Sequence, residues 1–351
     1  MTRLFDIQPG DVLTKDVLRK NTVVLRRGTV LTPRLVEKLK HWRIEEVTIT
    51  GETRDASPEP KAPPAKEPFS EEELFRIKGN FFQGIAGIGN EYRLGFALND
   101  LDTLHWLEAL FVSLHEHPAM ITLLEKIQAV DDYTYQHSFD TFVLGSLIAA
   151  KSGITELQDV AAGFLLHDIG KTKIPSAILD KPRALTSQEM TFVKLHTLYG
   201  YQILTDYGFP EEVAMLAQSH HERLDGSGYP WELSALHIPK AVRILSVVDV
   251  YSALSLDRPY RPAMPSHQAI EILFEEQHGL ELELIKMLCE ILEIYPVGAT
   301  VSLTDKSIAK VVRVDSKIPT FPLLKDAQSK HVFTMPTNRS LKVDTMLQHE
   351  S

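Results

Sequence analysis

A helical pattern that runs from Ser70 to Tyr295 constrains the fold of this chain more than any other feature of its sequence. We find no alternating strand pattern within it. Capping residues predict helix starts and breakers predict turns; the starts are at Ser70, Thr155 and Thr186, and the turns are at Asn99-Asp100, His117-Pro118, Gly208-Phe209-Pro210 and Tyr295-Pro296. We therefore predict an all-α domain over residues 70–295.

The pattern differs on both sides of this region. Residues 1–50 are predicted to form a small α+β domain, with β-branched strands at 22–25, 29–31 and 46–50 and a helix opened by Thr32 and Pro33. Residues 51–69 are rich in proline and predict an extended linker. Residues 296–351 are predicted to be a small β-rich appendage with strands at 299–303 and 309–314. The predicted fold class is thus mainly α.

Composition excludes several kinds of protein. A formal net charge of −10 argues against a surface for long nucleic acid, which needs many Lys and Arg contacts to phosphate. The chain has one cysteine, Cys289, so it cannot form an intramolecular disulfide, which fits a reducing cytosol. None of its apolar runs is long enough to span a bilayer, and the N-terminus lacks a signal-peptide core. We expect a soluble cytoplasmic protein.

The first candidate site follows an apolar run that reads as the end of a buried helix. His167, Asp168 and Lys171 come directly after this run. Placing an imidazole and a carboxylate beside an apolar helix end is unfavourable unless another group compensates for the lost water. A divalent metal ion is a common partner of this pair. For the dipeptide alone, however, a simple His–Asp hydrogen bond is the better explanation.

Ligand-type side chains also fall on other predicted helices. One predicted helix after Thr186 carries an apolar stripe made of Phe192, Leu195, His196, Tyr199 and Ile203. A lone histidine on such a stripe is usually a satisfied core residue. Asp249 is a carboxylate on a core-facing stripe, and it needs a partner there. Each residue is a weak signal by itself; the additional candidates are His137, His196, His220, His221 and Asp249.

Together these residues form a series of motifs. The sequence reads His-Asp-Ile-Gly-Lys at 167–171, His-His-Glu-Arg-Leu-Asp-Gly-Ser-Gly-Tyr-Pro at 220–230, and Asp-Arg-Pro-Tyr-Arg at 257–261, after Asp249. The series closely resembles the HD-GYP subfamily of the HD superfamily of metal-dependent phosphohydrolases. The resemblance covers roughly the predicted all-α domain, and it implies an HD-type helical bundle. It further implies hydrolysis of cyclic di-GMP, a bacterial second messenger, to pGpG and in some members on to GMP.

The resemblance also implies a centre of two metal ions, with iron or manganese as the usual occupant. One ion would be held by His137, His167, Asp168 and Asp249, and the other by His196, His220 and His221, with Asp168 bridging. The chemistry is reasonable on general grounds, because two adjacent divalent ions can activate water and relieve charge at phosphorus. Imidazole and carboxylate ligands suit iron and manganese alike.

Four further residues are implied to contact substrate. Lys171 would neutralise charge on the scissile phosphate, and Arg258 and Arg261 would grip phosphate with their forked guanidinium groups. Tyr229 would lie beside the substrate in the Gly-Tyr-Pro loop, which is also implicated in docking diguanylate cyclase-type partner proteins. Taken singly, the lysine could be a helix-end residue, the arginines surface residues and the tyrosine a packing residue of the turn.

One position departs from the family pattern. Members with a third metal carry a glutamate four residues before the first histidine, where this chain has Tyr133. A phenol with a pKa near 10 is a poor substitute, so we expect two metals and not three. Two alternatives to cyclic di-GMP hydrolysis stay open: a module that senses the nucleotide through partners, and a phosphodiesterase for another cyclic dinucleotide such as cyclic GMP-AMP.

Overall fold

The structure, a computed structural model, describes most of residues 69–348 and short stretches of residues 2–48. The gaps after residue 69 are 89–93, 96, 180, 182, 258–261, 277–278, 316–319, 336–340 and 342. The chain divides into two compact units, Met1–Pro68 and Phe69–Ser351.

In the first unit, strands pair in two antiparallel ladders. β1 (Thr2–Arg3) pairs with β4 (Glu46–Val47), and β2 (Val17–Arg19) pairs with β3 (Thr22–Leu25). The predicted strand at 22–25 is therefore present. The first two residues of the predicted strand at 29–31, the predicted start of the helix at Thr32 and the linker up to Pro68 lie outside the described residues.

The second unit is mainly helical, so the predicted fold class is confirmed. Its helices are α1 (Glu71–Ile88), α2 (Leu101–Leu114), α3 (Met120–Gln128), α4 (Asp132–Lys151), α5 (Leu157–Leu166), α6 (Ser176–Leu179), α7 (Ser187–Val193), α8 (His196–Asp206), α9 (Glu211–Ser219), α10 (Lys240–Ser255), α11 (Ser266–Glu275) and α12 (Leu282–Leu292). None of the helices in the described part of the chain combines the length and the apolar character that a membrane span requires.

Two of the three predicted helix starts are confirmed by their hydrogen bonds. Ser70 Oγ accepts from the Glu73 backbone N–H at 3.2 Å, and Glu73 accepts in return from the Ser70 N–H at 3.0 Å. Thr186 and Glu189 form the same reciprocal pair. The start at Thr155 was wrong by one residue: α5 has Glu156 at its N-cap, and no side chain caps it.

Helix α4 forms the centre of the core. Along its middle, residues from His137 to Ser146 are all buried, and α5 and α10 pack against it. Phe139 and Phe142 are fully buried beside Phe111, with ring centroids 5.9 and 5.6 Å away. Burying an aromatic side chain of this size stabilises the fold by roughly 1.5–3 kcal/mol. The helix is therefore a well-packed base for a site.

The prediction of one continuous helix after Thr186 was wrong. Helix α7 ends at Val193, and α8 begins at His196. The His196 imidazole bonds the Val193 carbonyl through Nδ1 at 2.7 Å, at the break between the helices. Because of this break, His196 is buried while Phe192, which belongs to the same predicted stripe, is 37% exposed.

The C-terminal part is an antiparallel sheet with the strand order β8-β7-β6-β5-β9. Strands β5 (Thr300–Leu303) and β6 (Ile308–Arg313) match the predicted ones. The sequence pattern did not identify β7 (Leu323–Asp326), β8 (Val332–Thr334) and β9 (Val343–Gln348). The sheet buries alternate side chains such as Val301, Leu303 and Ala309, as expected for a sheet with one covered face.

Candidate metal centre

The candidate metal ligands converge, although they come from five different places in the helical unit. α4 supplies one histidine, the end of α5 a His-Asp pair, the start of α8 one histidine, the end of α9 two adjacent histidines, and α10 an aspartate. All are buried except His221, which is partly exposed. In chain order they are His137, His167, Asp168, His196, His220, His221 and Asp249.

Asp168 lies between two groups of imidazoles. Its Oδ2 is 3.4 Å from Nε2 of His167 and 3.7 Å from Nε2 of His137. Its Oδ1 is 3.4 Å from Nε2 of His196 and 3.9 Å from Nε2 of His220. One carboxylate therefore presents a separate oxygen to each group.

Asp249 completes the centre from α10. Its Oδ1 is 3.1 Å from Nε2 of His137 and 3.8 Å from Nε2 of His167, and its Oδ2 is 3.7 Å from Nδ1 of His221. Three sets each place three ligand atoms within 4.8 Å of one another: His137-His167-Asp249, His196-His220-His221 and His167-Asp168-His220. Sets of this size match the coordination that imidazole and carboxylate groups give to divalent ions.

Backbone carbonyls fix the orientation of three imidazoles. Nδ1 donates to the carbonyl three residues earlier in His167, His196 and His220, at 2.9, 2.7 and 2.9 Å. A carbonyl can only accept, so the proton of each neutral ring is on Nδ1 and the lone pair is on Nε2. All three Nε2 atoms face the carboxylates, as ligand atoms should.

Two buried atoms of the centre have no hydrogen-bond partner among the described residues. They are Nε2 of His167 and Oδ1 of Asp168. Buried polar atoms in folded proteins are nearly always satisfied, so such orphans require an explanation. A cation between the imidazoles and the carboxylates would satisfy both atoms, and the residues present therefore fit a metal ion.

The protonation states also suit metal binding. Burial lowers the pKa of His196 to about 4 and that of His220 to about 3, so both rings are neutral at pH 7. Burial would raise the pKa of Asp168, but the Lys171 ammonium and the His167 imidazole hold it well below its usual range. Burial would lower the pKa of His167, but the neighbouring carboxylates raise it. Most of the centre is thus already in the deprotonated form that metals require.

Lys171 reaches the centre from a 3₁₀ turn, Ile169–Lys173, directly after the His-Asp pair. Its Nζ is 2.5 Å from Oδ2 of Asp168, and a fifth of its side chain is exposed. Burial would lower the pKa of Lys171, but the Asp168 carboxylate raises it, so the ammonium keeps its charge. The lysine therefore places a positive charge directly beside the carboxylate.

The other predicted substrate contacts are only partly described. The Tyr229 ring stacks on His221, with centroids 4.6 Å apart, and Nζ of Lys194 lies 4.5 Å from the centroid of the Tyr229 ring. Arg258 and Arg261 lie outside the described residues. The ring of Tyr133 lies nearly parallel to that of His137, with centroids 5.8 Å apart. A phenol therefore lies beside His137 at the position where family members with a third metal carry a glutamate.

Glu222 holds the loop that carries Tyr229 in place through backbone hydrogen bonds. This buried carboxylate accepts from the backbone N–H groups of Trp231 at 2.6 Å and Leu233 at 2.8 Å. Within the loop, a Cβ on Gly228 would lie 2.4 Å from the backbone N of Arg223, so only glycine fits there. The loop is thus folded back onto the end of α9, next to His221.

Sequence reasoning missed four residues that support the centre. Glu222 anchors the Tyr229 loop, and Lys194 contacts the Tyr229 ring. Ser252 forms a hydrogen bond with His137, and Asp140 forms one with Ser252. A usable signal existed for Asp140, because it follows His137 by three residues and so lies on the same helix face. Ser252 likewise follows Asp249 by three residues on α10.

Parts of this chain are similar to known proteins. The family model of the HD domain matches residues 147–280. Cyclic di-GMP phosphodiesterase PA4108 of Pseudomonas aeruginosa is 29% identical over 69% of this chain and 59% of its own length. The 3′3′-cGAMP-specific phosphodiesterase 3 of Vibrio cholerae is 39% identical over 45% of this chain and 35% of its own length. The chain thus spans less than two thirds of either relative.

One of the solved structures that the chain matches is Bd1817, an HDG"Y"P protein from Bdellovibrio bacteriovorus, with 16% sequence identity and a TM-score of 0.42. The match covers 84% of this chain and 96% of that one. Residues 147–280 therefore match an HD domain, and the curated relatives to which this chain is similar are named as cyclic dinucleotide phosphodiesterases.

Proposed function

We propose that this protein is a cyclic di-GMP phosphodiesterase that uses two divalent metal ions, iron or manganese, and releases pGpG. The observation that carries the proposal is the position of Asp168, which offers one carboxylate oxygen to each of two groups of imidazoles. His137, His167 and Asp249 would complete one metal site. His196, His220 and His221 would complete the other.

The chain's own groups would divide the work of phosphodiester hydrolysis. When bound, the ions would supply an activated water near neutral pH and withdraw charge from the phosphoryl oxygens. Lys171 would hold its ammonium beside Asp168, where it can neutralise charge that develops on the phosphate in the transition state. Tyr229 would present an aromatic surface next to His221, on which a base of the substrate could stack.

The substrate class follows from the relatives, and a second candidate has support of its own. PA4108 is a cyclic di-GMP phosphodiesterase by name, and the Vibrio cholerae relative, with the higher identity, is named for 3′3′-cGAMP. Hydrolysis of 3′3′-cGAMP is therefore the second candidate. A module that only senses the nucleotide is disfavoured, because it would not need seven converging ligands. Docking of a diguanylate cyclase-type partner through the Tyr229 loop or the N-terminal unit stays a prediction.

The test is a turnover assay with product chromatography. Protein loaded anaerobically with iron or manganese should convert cyclic di-GMP to pGpG, and Asp168→Ala should not. Asp206→Ala, an exposed aspartate at the end of α8, is the control and should keep full activity. Faster turnover of 3′3′-cGAMP would favour the second candidate. Loaded protein that cleaves neither dinucleotide would overturn the proposal.

A further inference from the structure

His137 differs from the other imidazoles of the centre in the partner of its Nδ1. Carbonyls accept from Nδ1 in His167, His196 and His220. The partner of His137 Nδ1 is instead the hydroxyl of Ser252, at 2.9 Å. A carbonyl forces the proton onto Nδ1, whereas a hydroxyl can either donate or accept. Ser252 by itself therefore leaves the tautomer of His137 open.

The tautomer matters because Nε2 of His137 faces Oδ1 of Asp249 at 3.1 Å and Oδ2 of Asp168 at 3.7 Å. If Ser252 donated to Nδ1, the proton of the neutral ring would lie on Nε2. That nitrogen would then have no lone pair for a cation. Another group must decide the direction of the Ser252 hydroxyl.

Asp140 stands in the position to decide it. It is fully buried, one turn of α4 beyond His137, and its Oδ2 accepts from the Ser252 hydroxyl at 3.4 Å. Its Oδ1 accepts from the Gln136 side-chain amide at 3.1 Å. A carboxylate accepts and does not donate, so it orients the single hydroxyl proton of Ser252 away from His137.

We infer that Asp140 is a positioning residue that acts through Ser252 to keep the proton of His137 on Nδ1 and its Nε2 free for a metal ion. The inference rests on the proposed function, because it takes from it the role of His137 as a metal ligand. The hydrogen-bonded chain from Asp140 through Ser252 to His137 is a carboxylate–hydroxyl–histidine version of the support that metal-bound histidines require.

The direct test is the ¹⁵N NMR signature of the His137 ring in metal-free full-length protein, with signals assigned by comparison with His137→Asn. The wild type should show the proton on Nδ1. Asp140→Asn should move the population toward the Nε2 tautomer, because its amide can donate to Ser252 and turn the hydroxyl toward His137. An unchanged His137 signature in folded Asp140→Asn would overturn the inference, whether or not the protein is a phosphodiesterase.

Metal titration gives the second readout, with Mn²⁺ as the probe. Asp140→Asn and Ser252→Ala should each weaken binding of one ion about 10-fold, as is usual for residues that support metal ligands. The double variant should be no weaker than the worse single variant, because both changes break the same chain. Ser255→Ala, another buried serine of α10, is the control and should bind as the wild type does.

The outcomes separate the inference from the proposed function. Equal affinities in all variants, or losses that multiply to about 100-fold in the double variant, would overturn the inference alone. Wild-type protein that binds no Mn²⁺, Fe²⁺ or Co²⁺ would overturn the proposed function and with it the role of His137. If Asp140→Asn fails to fold, Ser252→Ala still tests the inference through its affinity and the His137 ring signals.

Discussion

At the scale of the residue, the buried negative charge of Asp168 has a positive partner within a few ångströms. Asp168 is only 1% exposed, and a carboxylate is not stable in such a place without compensating charge. Lys171 provides that compensation at 2.5 Å, and the His167 imidazole also lowers the pKa of Asp168. Removing either partner should therefore affect the chemistry of the site more than the stability of the distant core.

Lys171→Ala should lower kcat about 100-fold, in the range found when a single charge-stabilising donor is removed from an active site. Metal content should be unchanged, because the lysine is not a ligand. Lys173→Ala, an exposed lysine of the same turn, is the matched control and should retain full activity. Steady-state kinetics with metal analysis checks both. A normal kcat in Lys171→Ala would show that its charge does not act on the reaction.

The stability of the metal-free protein should depend on pH in a specific direction. Burial lowers the pKa of His196 from 6.5 to about 4 and that of His220 from 6.5 to about 3. Below about pH 6.5 the unfolded chain therefore binds protons that the folded chain does not. As the pH is lowered from about 6.5 to about 4, the free energy of unfolding should decrease by up to ~1.4 kcal/mol per pH unit for each imidazole.

His167 acts in a different pH range, because the carboxylates beside it raise its pKa: the stability it contributes is present below about pH 6.5 and is lost as the pH rises above that value. Urea denaturation in the presence of a chelator, at pH values between about 4 and about 7, measures the slope. A free energy of unfolding that is constant over this range would contradict the account of neutral, buried imidazoles.

At the scale of the element, close packing of backbone sets the position of His196. A Cβ on Gly170 would lie 1.9 Å from the His196 carbonyl oxygen and 2.5 Å from the Gly200 nitrogen. Gly170→Ala should therefore push the 3₁₀ turn away from α8 and separate Asp168 from His196. We expect loss of tight metal binding, measured by metal titration, even where the protein still folds.

Gly79→Ala is the matched control for this substitution. Gly79 lies at an exposed position of α1 with no atom within 4 Å of the added Cβ, so alanine should stabilise the helix by about 0.5–1 kcal/mol without affecting metal binding. Equal metal affinity in Gly170→Ala and wild-type protein would mean that the approach of the turn to α8 is not needed for the centre.

The loop that carries Tyr229 depends on one buried carboxylate. In Glu222→Gln, one of the two accepting oxygens becomes an NH₂ group. That NH₂ group then faces the backbone N–H of Trp231 or Leu233, so two donors meet without an acceptor. We expect a loss of about 1–3 kcal/mol in stability and a rise in KM, with metal content retained. Amide hydrogen exchange at Trp231 and Leu233 should accelerate. Glu212→Gln, an exposed residue of α9, is the control.

Unchanged exchange at these two amides in Glu222→Gln would contradict the role assigned to Glu222.

Comparison of elements shows what the sequence could and could not predict. The capping pairs of Ser70 and Thr186 act within four residues, so local pattern was enough to find them. The break between α7 and α8 was not predictable from periodicity, because it depends on the Val193 carbonyl meeting the His196 ring. For the same reason the Asp140–Ser252 contact was missed, since it joins helices far apart in the chain.

At the scale of the whole molecule, the centre depends on how the helices pack. α4 packs against α5 and α10, and α9 packs against α5 and α8, so every element with a candidate ligand is in contact with another. Motif resemblance predicted the set of ligands from residue 137 to residue 249, and the fold brings this set together. The motifs could not show that Asp168 directs one carboxylate oxygen to each of two groups of imidazoles, because this arrangement depends on how the helices pack.

The measurement that tests this account most directly is the metal content of the folded full-length protein. After anaerobic loading with manganese or iron and removal of free ion, elemental analysis should find about two ions per chain in the wild type and fewer than about one in Asp168→Ala. No retained metal in the wild type, or about three ions per chain, would contradict a centre built from seven ligands around one shared carboxylate.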